Sequence, residues 1–572
     1  MPTVLSTDTD VAGKAGTNFA SRFATAGLLF SLFLLVLAAH ARLLRLPYFW
    51  DEGGYYIPAA RDLLAGSLIP HSTPSNAHPP LVMAWLALAW KLLGQSPVVT
   101  RIAMLALAAF SLTGFFRLAR AISNMTVAAA GTFLVAIYPV FFAQSSLAQV
   151  DLPAAGLVFW GLEAYFLKRQ TRIAFWFSLA ALAKETAILV PVGLCLWEIF
   201  MLVFPPKRLK SIAPERTPRR AKGTIFALIA PVIPLALWYS YHYIHTGFVF
   251  GNPEFLRYNL QGNFTPLRIA LAFLLRVWQT VGYLNLYLLT FACLVAMKYS
   301  AQAVSNEKSV AAEDESRPRI AVSNQFAILT VTLVYLLAMS VLGGAVLARY
   351  MLPVVPLLIL ICVSTIWRRL RFWKAVLGII AVSFIAGLLI NPPYGFSPED
   401  NLAYADYIRL HQGAESFIET QYPHARVLTA WPASDELSRP YLGYVQNPMK
   451  VVRIEDFTAD QLMAASDARS DFDVALVFST KYQAPRSLFD RWRLWQEWKT
   501  RFFGYHVDLR PGAAASILGG ELVYRAEHQG QWVGVIRLQR IEEARVRSSV
   551  SVSLPLPAQA IANAAAGTNW PE

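Results

Sequence analysis

Long apolar runs, separated by short loops rich in Lys and Arg, fill residues 23–391 of this 572-residue chain. A helix needs about 20 apolar residues to cross a bilayer. The runs predict an all-α polytopic membrane bundle of about 11 transmembrane helices. The predicted spans are 23–46, 101–119, 125–145, 152–168, 172–189, 186–204, 224–244, 268–297, 324–345, 350–367 and 374–391.

The composition agrees with a membrane protein. Hydrophobic residues make up 56% of the sequence and charged residues only 15%, whereas soluble domains have about a quarter charged residues. The formal net charge of +14 does not predict a nucleic-acid partner, because the cations cluster in the short loops. The three cysteines lie inside apolar runs, which predicts small buried side chains and neither a disulfide framework nor a metal cluster.

The positions of Lys and Arg set the expected orientation, since basic loops stay on the cytoplasmic side. If residues 80–94 form a helix at the membrane surface, every strongly basic loop falls on one side. Counting 80–94 as a span scatters these loops over both faces. We therefore expect a multi-pass protein of the inner or plasma membrane, with a cytoplasmic segment 1–22, a transmembrane domain 23–391 and an outer loop 47–100. A signal-peptide cleavage at Ala39-His40-Ala41 is the less favoured alternative.

The character of the chain changes after Asn391. Residues 392–545 are polar and mixed, which predicts a small C-terminal α/β domain, placed on the extracytoplasmic side by the odd number of spans. The segment after this domain, 546–572, is rich in Ala, Ser and Pro, a composition that predicts a disordered tail. Strands are expected at Arg426–Trp431, Lys450–Ile454, Phe472–Ser479 and Trp532–Leu538, and helices around Ala403–Thr420 and Arg486–Arg501.

Charged residues at the outer ends of five segments indicate function, because a charge within a bilayer is costly. Each one alone has a plain structural explanation, such as a helix cap or a snorkelling side chain. Their convergence on one membrane boundary favours a shared site. They are Asp51 and Glu52 after the first span, His78 in the next loop, Asp151 before the fourth span, Lys184 in the fifth and Arg349 at the start of the tenth.

Cations beside carboxylates suit an anionic lipid substrate and a proton that has to be removed. We expect Lys184, Arg349 and His78 to bind the phosphate of a lipid carrier through charge-assisted hydrogen bonds. Asp51 or Asp151 would then act as the general base on an acceptor hydroxyl or amine. The sequence contains no Gly-rich phosphate loop, His-Glu-x-x-His motif or Gly-x-Ser-x-Gly elbow.

Two further expectations concern the same site. Tyr55 and Tyr350 should line a substrate cavity, roofed by the 47–80 loop and by the loop near Asn252–Gln261. Asp51 and Asp151, with Glu52, offer hard oxygen ligands to a divalent metal ion. The chemistry does not require that ion, and the sequence predicts no other cofactor.

These motifs resemble those of GT-C-fold membrane glycosyltransferases, and especially the group of protein O-mannosyltransferases and aminoarabinose transferases. The resemblance covers about residues 25–390. The matching motifs are the aromatic-Asp-Glu pair after the first span, His78-Pro79-Pro80-Leu81, Asp151, Lys184 and Arg349-Tyr350-Met351-Leu352-Pro353.

The resemblance implies inverting transfer of a sugar from a polyprenyl phosphate to a lipid, glycan or protein acceptor on the outer face. It implies Asp51, with Glu52 beside it, as the catalytic carboxylate and Asp151 as a second acidic position. Lys184 and Arg349 correspond to phosphate contacts.

Two departures leave the sugar and the acceptor open. His78 stands where aminoarabinose transferases carry Lys, and Glu185 stands where a small residue is expected. Three other classes compete with a glycosyltransferase. A transporter or flippase of lipid-linked glycans usually shows internal repeats and a site at the bilayer midplane, and neither is visible. A non-catalytic lipid or glycan sensor leaves the carboxylates beside cations unexplained. A polysaccharide ligase shares the lipid-linked substrate but chiefly uses Arg and His.

Overall fold

The computed structural model describes residues 8–204, 218–251, 264–302, 316–342, 344–484 and 491–538. The loop near Asn252–Gln261, expected to roof the cavity, and the tail 546–572 lie outside the described residues. The first described helix, Asp8–Ala39, begins within the segment expected to precede the membrane.

The described part of the chain up to Leu389 is a helical bundle. Five helical segments in it are long and apolar enough to cross a membrane: Pro97–Ile122, Glu185–Val203, Ala221–Thr246, Pro266–Ala296 and Val322–Leu342. Shorter apolar helices are Phe23–Ala39, Leu81–Leu93, Met125–Ile137 and Trp373–Leu389. These helices agree with a multi-pass membrane protein, but they do not confirm the count of about 11 spans.

Several expected spans are interrupted, and the interruptions have local causes. The span expected over 125–145 divides into Met125–Ile137 and Pro139–Gln144, because Pro139 has no amide hydrogen to continue the first helix. The span expected over 268–297 divides into Pro266–Val281 and Leu286–Ala296 at Leu284 and Asn285, whose φ angles are 46° and 69°. The other helices of this part are Ile57–Leu64, Asp151–Phe166, Gln170–Ala183, Leu189–Val203, Pro218–Ile229, Val232–Thr246 and Val355–Arg369.

Residues 80–94, expected at the membrane surface, form the helix Leu81–Leu93. Its 13 residues rise about 20 Å at 1.5 Å per residue, which is too short for the roughly 30 Å hydrocarbon core. The helix packs on Pro97–Ile122, where the Trp85 indole donates to the Ala103 carbonyl at 3.0 Å and the Trp90 indole donates to the Thr100 hydroxyl at 2.9 Å.

The C-terminal domain is built on one five-stranded mixed sheet. Its strands are β1 Arg426–Ala430, β2 Lys450–Ile454, β3 Val474–Phe478, β4 Gly520–His528 and β5 Gln531–Leu538. The order is β2-β1-β3-β5-β4; β1 pairs in parallel with β2 and β3, while β5 is antiparallel to β3 and β4. Its helices are Ala403–Gln421, Ala433–Ser438, Ala459–Asp467, Arg493–Phe503 and Pro511–Leu518.

Candidate active site

A strained turn carries Asp51 at the end of the first helical region. Trp50, the residue before it, has a φ of 47°, a conformation that is rare for a bulky side chain. A wide helical turn, Glu52–Tyr56, follows, and it closes with the Ile57 amide donating to the Glu52 carbonyl. Strained residues and turns of this width concentrate at functional sites, so the local backbone itself marks Asp51.

Glu52 is enclosed and anchors that turn. Arg101 donates to both of its carboxylate oxygens, at 2.9 Å in the case of Oε2. The Phe49 amide donates to Oε2 at 2.7 Å, and the Ala148 amide donates to Oε1. Arg101 also donates to two main-chain carbonyls of the same loops. Glu52 therefore fastens the strained turn to two neighbouring segments of the bundle.

We expect Glu52→Gln to destabilise the protein markedly, because it leaves the Arg101 guanidinium buried without its counter-charge. Removing one partner of a buried ion pair costs about 3–5 kcal/mol. A thermal unfolding curve in detergent should show the loss. Arg101→Gln should lower the midpoint similarly, and the double variant should lose less than the sum of the two. Additive losses would contradict a shared ion pair.

Arg349 lies at the centre of the candidate site. Its guanidinium contacts three carboxylates: Asp51 Oδ2 at 2.5 Å, Asp151 Oδ2 at 3.3 Å, and Glu399 Oε2. Lys184 Nζ pairs with the other oxygen of Asp151. The three carboxylates and two cations form one cluster, called here the Arg349 cluster. Its members come from four separate helical regions and from the start of the C-terminal domain.

Tyr350 packs among the cations of this cluster. The Lys184 ammonium lies 3.9 Å from the centre of the Tyr350 ring, and the Arg349 and Arg276 guanidinium carbons each lie 5.5 Å from it. Such contacts are stabilised by the negative face of the aromatic ring. Tyr350 therefore helps to hold several positive charges close together, as an anionic substrate would require.

His78 and Tyr55, also predicted for the site, make their contacts outside this cluster. His78 Nδ1 is 2.8 Å from Glu185 Oε2, and its ring stacks on Tyr56 with centroids 6.0 Å apart. The Tyr55 ring lies 6.2 Å from the ring of Trp431 in the C-terminal domain. The structure thus brings Asp51, Asp151, Lys184 and Arg349 together, while His78 pairs with the neighbouring Glu185.

No family model and no curated protein matches the sequence. Among solved structures, ArnT from Cupriavidus metallidurans bound to undecaprenyl phosphate is similar, with a TM-score of 0.51 and 14% identity, covering 89% of this chain and 97% of that one. The apo form of the same protein has a TM-score of 0.50 and 14% identity, covering 91% of this chain and 98% of that one. This chain has a GT-C fold. An oligosaccharyltransferase from Archaeoglobus fulgidus aligns with a TM-score of 0.44 and 12% identity, covering 79% of this chain and 68% of that one.

One carboxylate of the Arg349 cluster was not predicted from the sequence. Glu399 is buried, pairs with Arg349 and accepts a hydrogen bond from Gln149 Nε2 at 2.9 Å. It comes ten residues after the last apolar helix ends at Leu389. The only indication in the sequence was the pair of adjacent acids, Glu399 and Asp400, shortly after the last apolar run.

The carboxylates of the Arg349 cluster are already paired with protein cations. Lys184 and Arg349 contact both oxygens of Asp151, and Arg349 also contacts Asp51. A divalent ion between Asp51 and Asp151 would lie against two positive side chains, so these residues fit a metal poorly. The metal-binding role of Asp51 and Asp151 stays a prediction, and no step below depends on it.

Asp400, outside the apolar helices, gives the stability of the protein a pH dependence. Burial, with Glu399 nearby, raises the pKa of Asp400 from 3.8 to about 7, and the Tyr283 hydroxyl donates to it at 2.6 Å. Between these pKa values the folded chain binds the proton that the unfolded chain has released. The stability contribution of this group is therefore greatest in acid and is lost as the pH rises towards 7.

We expect the unfolding midpoint of the wild type to fall between about pH 5 and about pH 8 relative to that of Asp400→Asn, because the amide does not titrate. Thermal unfolding of both proteins across this range measures the difference. Parallel pH profiles for the two proteins would contradict a proton held on Asp400.

Proposed function

We propose that this protein is an integral membrane glycosyltransferase that moves a sugar from a polyprenyl-phosphate donor to a lipid, glycan or protein acceptor. The observation that carries the proposal is the Arg349 cluster. Within it, the Asp51 side chain is 22% exposed, whereas those of Arg349, Asp151, Lys184 and Glu399 are 2–7% exposed. One carboxylate thus faces accessible space beside buried cations, as a general base next to an anionic donor must.

The donor phosphate would bind Arg349 and Lys184 through charge-assisted hydrogen bonds. Both cations are buried, which strengthens their attraction for an anion relative to surface cations. The similar ArnT structure contains undecaprenyl phosphate, a lipid carrier of the proposed class. Tyr350, packed on both cations, would keep them in place, and Tyr55 would line the cavity on the side of the C-terminal domain.

The reaction would proceed with inversion at the sugar carbon. Asp51 removes the proton from the acceptor hydroxyl or amine, whose lone pair forms the new bond to the anomeric carbon. The bond from that carbon to the phosphate oxygen breaks, and its electron pair leaves with the polyprenyl phosphate. Arg349 and Lys184 stabilise the additional negative charge on the departing phosphate. Preorganised donors of this kind typically lower a barrier by about 2.7–4 kcal/mol each.

Asp51 and the donor would compete for Arg349. Its guanidinium already contacts Asp51, Asp151 and Glu399, so a phosphate that binds there must displace part of this set. Asp51, the most exposed of the three, is the partner most easily displaced. Donor binding would then release Asp51 from Arg349, so that Asp51 becomes available as the general base only when the donor is in place.

The remaining predicted residues take supporting roles in this proposal. Glu52, bonded to Arg101 on both oxygens, would fix the turn that carries Asp51 and would not exchange protons itself. Asp151 would orient Lys184 and Arg349 towards the donor. His78, paired with Glu185, would contact the phosphate only after that pair rearranges.

The site and the C-terminal domain would face the extracytoplasmic side of the cell membrane. The support is the distribution of Lys and Arg in the sequence, which places the basic loops on the opposite side. A cysteine introduced at the exposed Ser416 of the C-terminal domain should react with an impermeant maleimide in intact cells or spheroplasts. Labelling only after lysis would contradict this orientation.

The deciding experiment is a donor assay in membranes from an expressing strain and from its deletion strain. Labelled polyprenyl-phosphate sugars are added one at a time, and label is followed from the carrier into lipid, glycan or protein. Transfer that requires the protein and Asp51 would support the proposal and identify the donor. Protein-dependent movement of intact lipid across the bilayer without transfer would instead favour a flippase. Transfer of a preassembled polysaccharide would favour a ligase.

A further inference from the structure

A second group of ionisable side chains lies in the C-terminal domain, away from the Arg349 cluster. His411 and Glu415 are one turn apart on the helix Ala403–Gln421, and Glu436 comes from the helix Ala433–Ser438. His411 Nδ1 is 2.6 Å from Glu436 Oε2 and 3.6 Å from Glu415 Oε1. One ligand atom from each residue lies within 4.8 Å of the others.

The negative charges of this group are not balanced by cations among the described residues. All three side chains are at most 2% exposed. Both oxygens of Glu415 and Oε1 of Glu436 are buried and accept no hydrogen bond from a donor group of the described residues; the nearest polar neighbour of Glu415 is the other carboxylate, Glu436. A buried carboxylate normally requires a cation or a hydrogen-bond donor on each oxygen. Even a protonated His411 leaves one negative charge uncompensated.

We propose that His411, Glu415 and Glu436 form a metal site for one divalent transition ion, Zn²⁺ or Mn²⁺. One imidazole and two carboxylates are a ligand set that suits these ions better than Mg²⁺ or Ca²⁺, which prefer oxygen alone. The Glu415 carboxylate is directed into the group. Its oxygens accept no hydrogen bond from a donor of the described residues, so they are available as metal ligands.

The spacing of the three residues agrees with such an ion. Ligands at about 2.0–2.2 Å from a tetrahedral zinc ion are roughly 3.3–3.6 Å apart. The 3.6 Å separation of His411 and Glu415 already fits, and the 2.6 Å contact to Glu436 opens by less than 1 Å when an ion replaces the shared proton. Rings of Tyr407 and Phe478, at 4.0 and 4.6 Å from the imidazole, close the site to solvent.

The competing explanation is a proton shared between the carboxylates. Burial and the nearby Glu436 raise the pKa of Glu415 well above its usual range, so a proton also removes the excess charge. A proton leaves the protein without bound metal, whereas the proposed site retains an ion through purification. The two explanations therefore differ in a direct measurement.

Metal content of the full-length protein tests the proposal. The protein is expressed in medium supplemented with Zn²⁺ and Mn²⁺, purified in detergent and freed of its affinity tag. After dialysis against EDTA, its metal content is measured by elemental mass spectrometry. We expect about one ion per wild-type chain and less than a tenth of that in Glu415→Gln. Glu419→Gln, the same change one turn further along the helix, and Asp51→Asn should retain the ion. Wild-type protein without metal, or equal content in Glu415→Gln, would overturn the proposal.

X-ray absorption of the wild-type protein provides a test that needs no variant. The proposal predicts a first shell of nitrogen and oxygen ligands, together with the outer-shell scattering of one imidazole ring. A spectrum without imidazole scattering, or with sulfur in the first shell, would overturn it, since the cysteines lie elsewhere in the chain. Retention of the ion by Asp51→Asn keeps this test separate from the proposed transfer reaction.

Discussion

Asp51→Asn should reduce the rate of sugar transfer by roughly 10²–10⁴-fold, the usual contribution of a general base. The amide keeps the size of the side chain but cannot accept the acceptor's proton. It also removes one of the carboxylates that compete for Arg349, so donor binding should be unchanged or slightly tighter. Initial rates of transfer and equilibrium binding of a labelled polyprenyl phosphate measure the two effects separately.

Asp406→Asn is the matched control for this variant. Asp406 lies on the helix Ala403–Gln421, pairs with Arg409 and has the same 22% side-chain exposure as Asp51. Its substitution should leave transfer unchanged. Near-normal transfer in Asp51→Asn would remove Asp51 as the base, whatever the behaviour of the control.

Substitution of Arg349 should affect both the chemistry and the fold. In Arg349→Gln, Asp51, Asp151 and Glu399 lose their shared cation, and loss of a buried partner costs about 3–5 kcal/mol of stability. Arg349→Lys keeps the charge but replaces the guanidinium fork by a single ammonium. We expect it to fold, to bind the donor more weakly and to transfer sugar roughly 10²–10³-fold more slowly.

Two comparisons separate these effects. Arg117→Lys alters a guanidinium that pairs with the buried Glu163 outside the Arg349 cluster, and it should leave donor affinity intact. The double variant Arg349→Gln/Glu399→Gln should recover part of the unfolding midpoint without recovering transfer, because it removes one of the uncompensated carboxylates. Unchanged donor affinity in Arg349→Lys would argue against a phosphate contact.

The sequence predicted the class of the fold because long apolar segments have few alternatives in a membrane. It also predicted four of the five strands, where β-branched residues form short apolar runs. It did not predict β4, Gly520–His528, whose side chains are half-buried or exposed along most of its length. The interruptions at Pro139 and Leu284 also escaped prediction, because mean hydropathy does not register a break in the backbone.

The candidate site could be predicted where single residues stand out against an apolar background. Asp51, Asp151, Lys184 and Arg349 were found this way, and the structure joins them. Glu399 was not, because it lies in a polar segment where one more acid is unremarkable by composition. The pairing of Glu52 with Arg101 was also inaccessible, since it joins residues 49 positions apart through an arrangement that only the folded bundle creates.

The ion pair between Arg349 and Glu399 has a consequence for how this protein can be divided. A cut at Asn391, where the sequence changes character, would remove Glu399 from the membrane part and take Tyr407, which packs on Phe49 and Trp50, with it. The two halves are thus not interchangeable modules. A chimera that exchanges the C-terminal domain with that of a related protein would have to rebuild the charge balance of the Arg349 cluster as well as the junction.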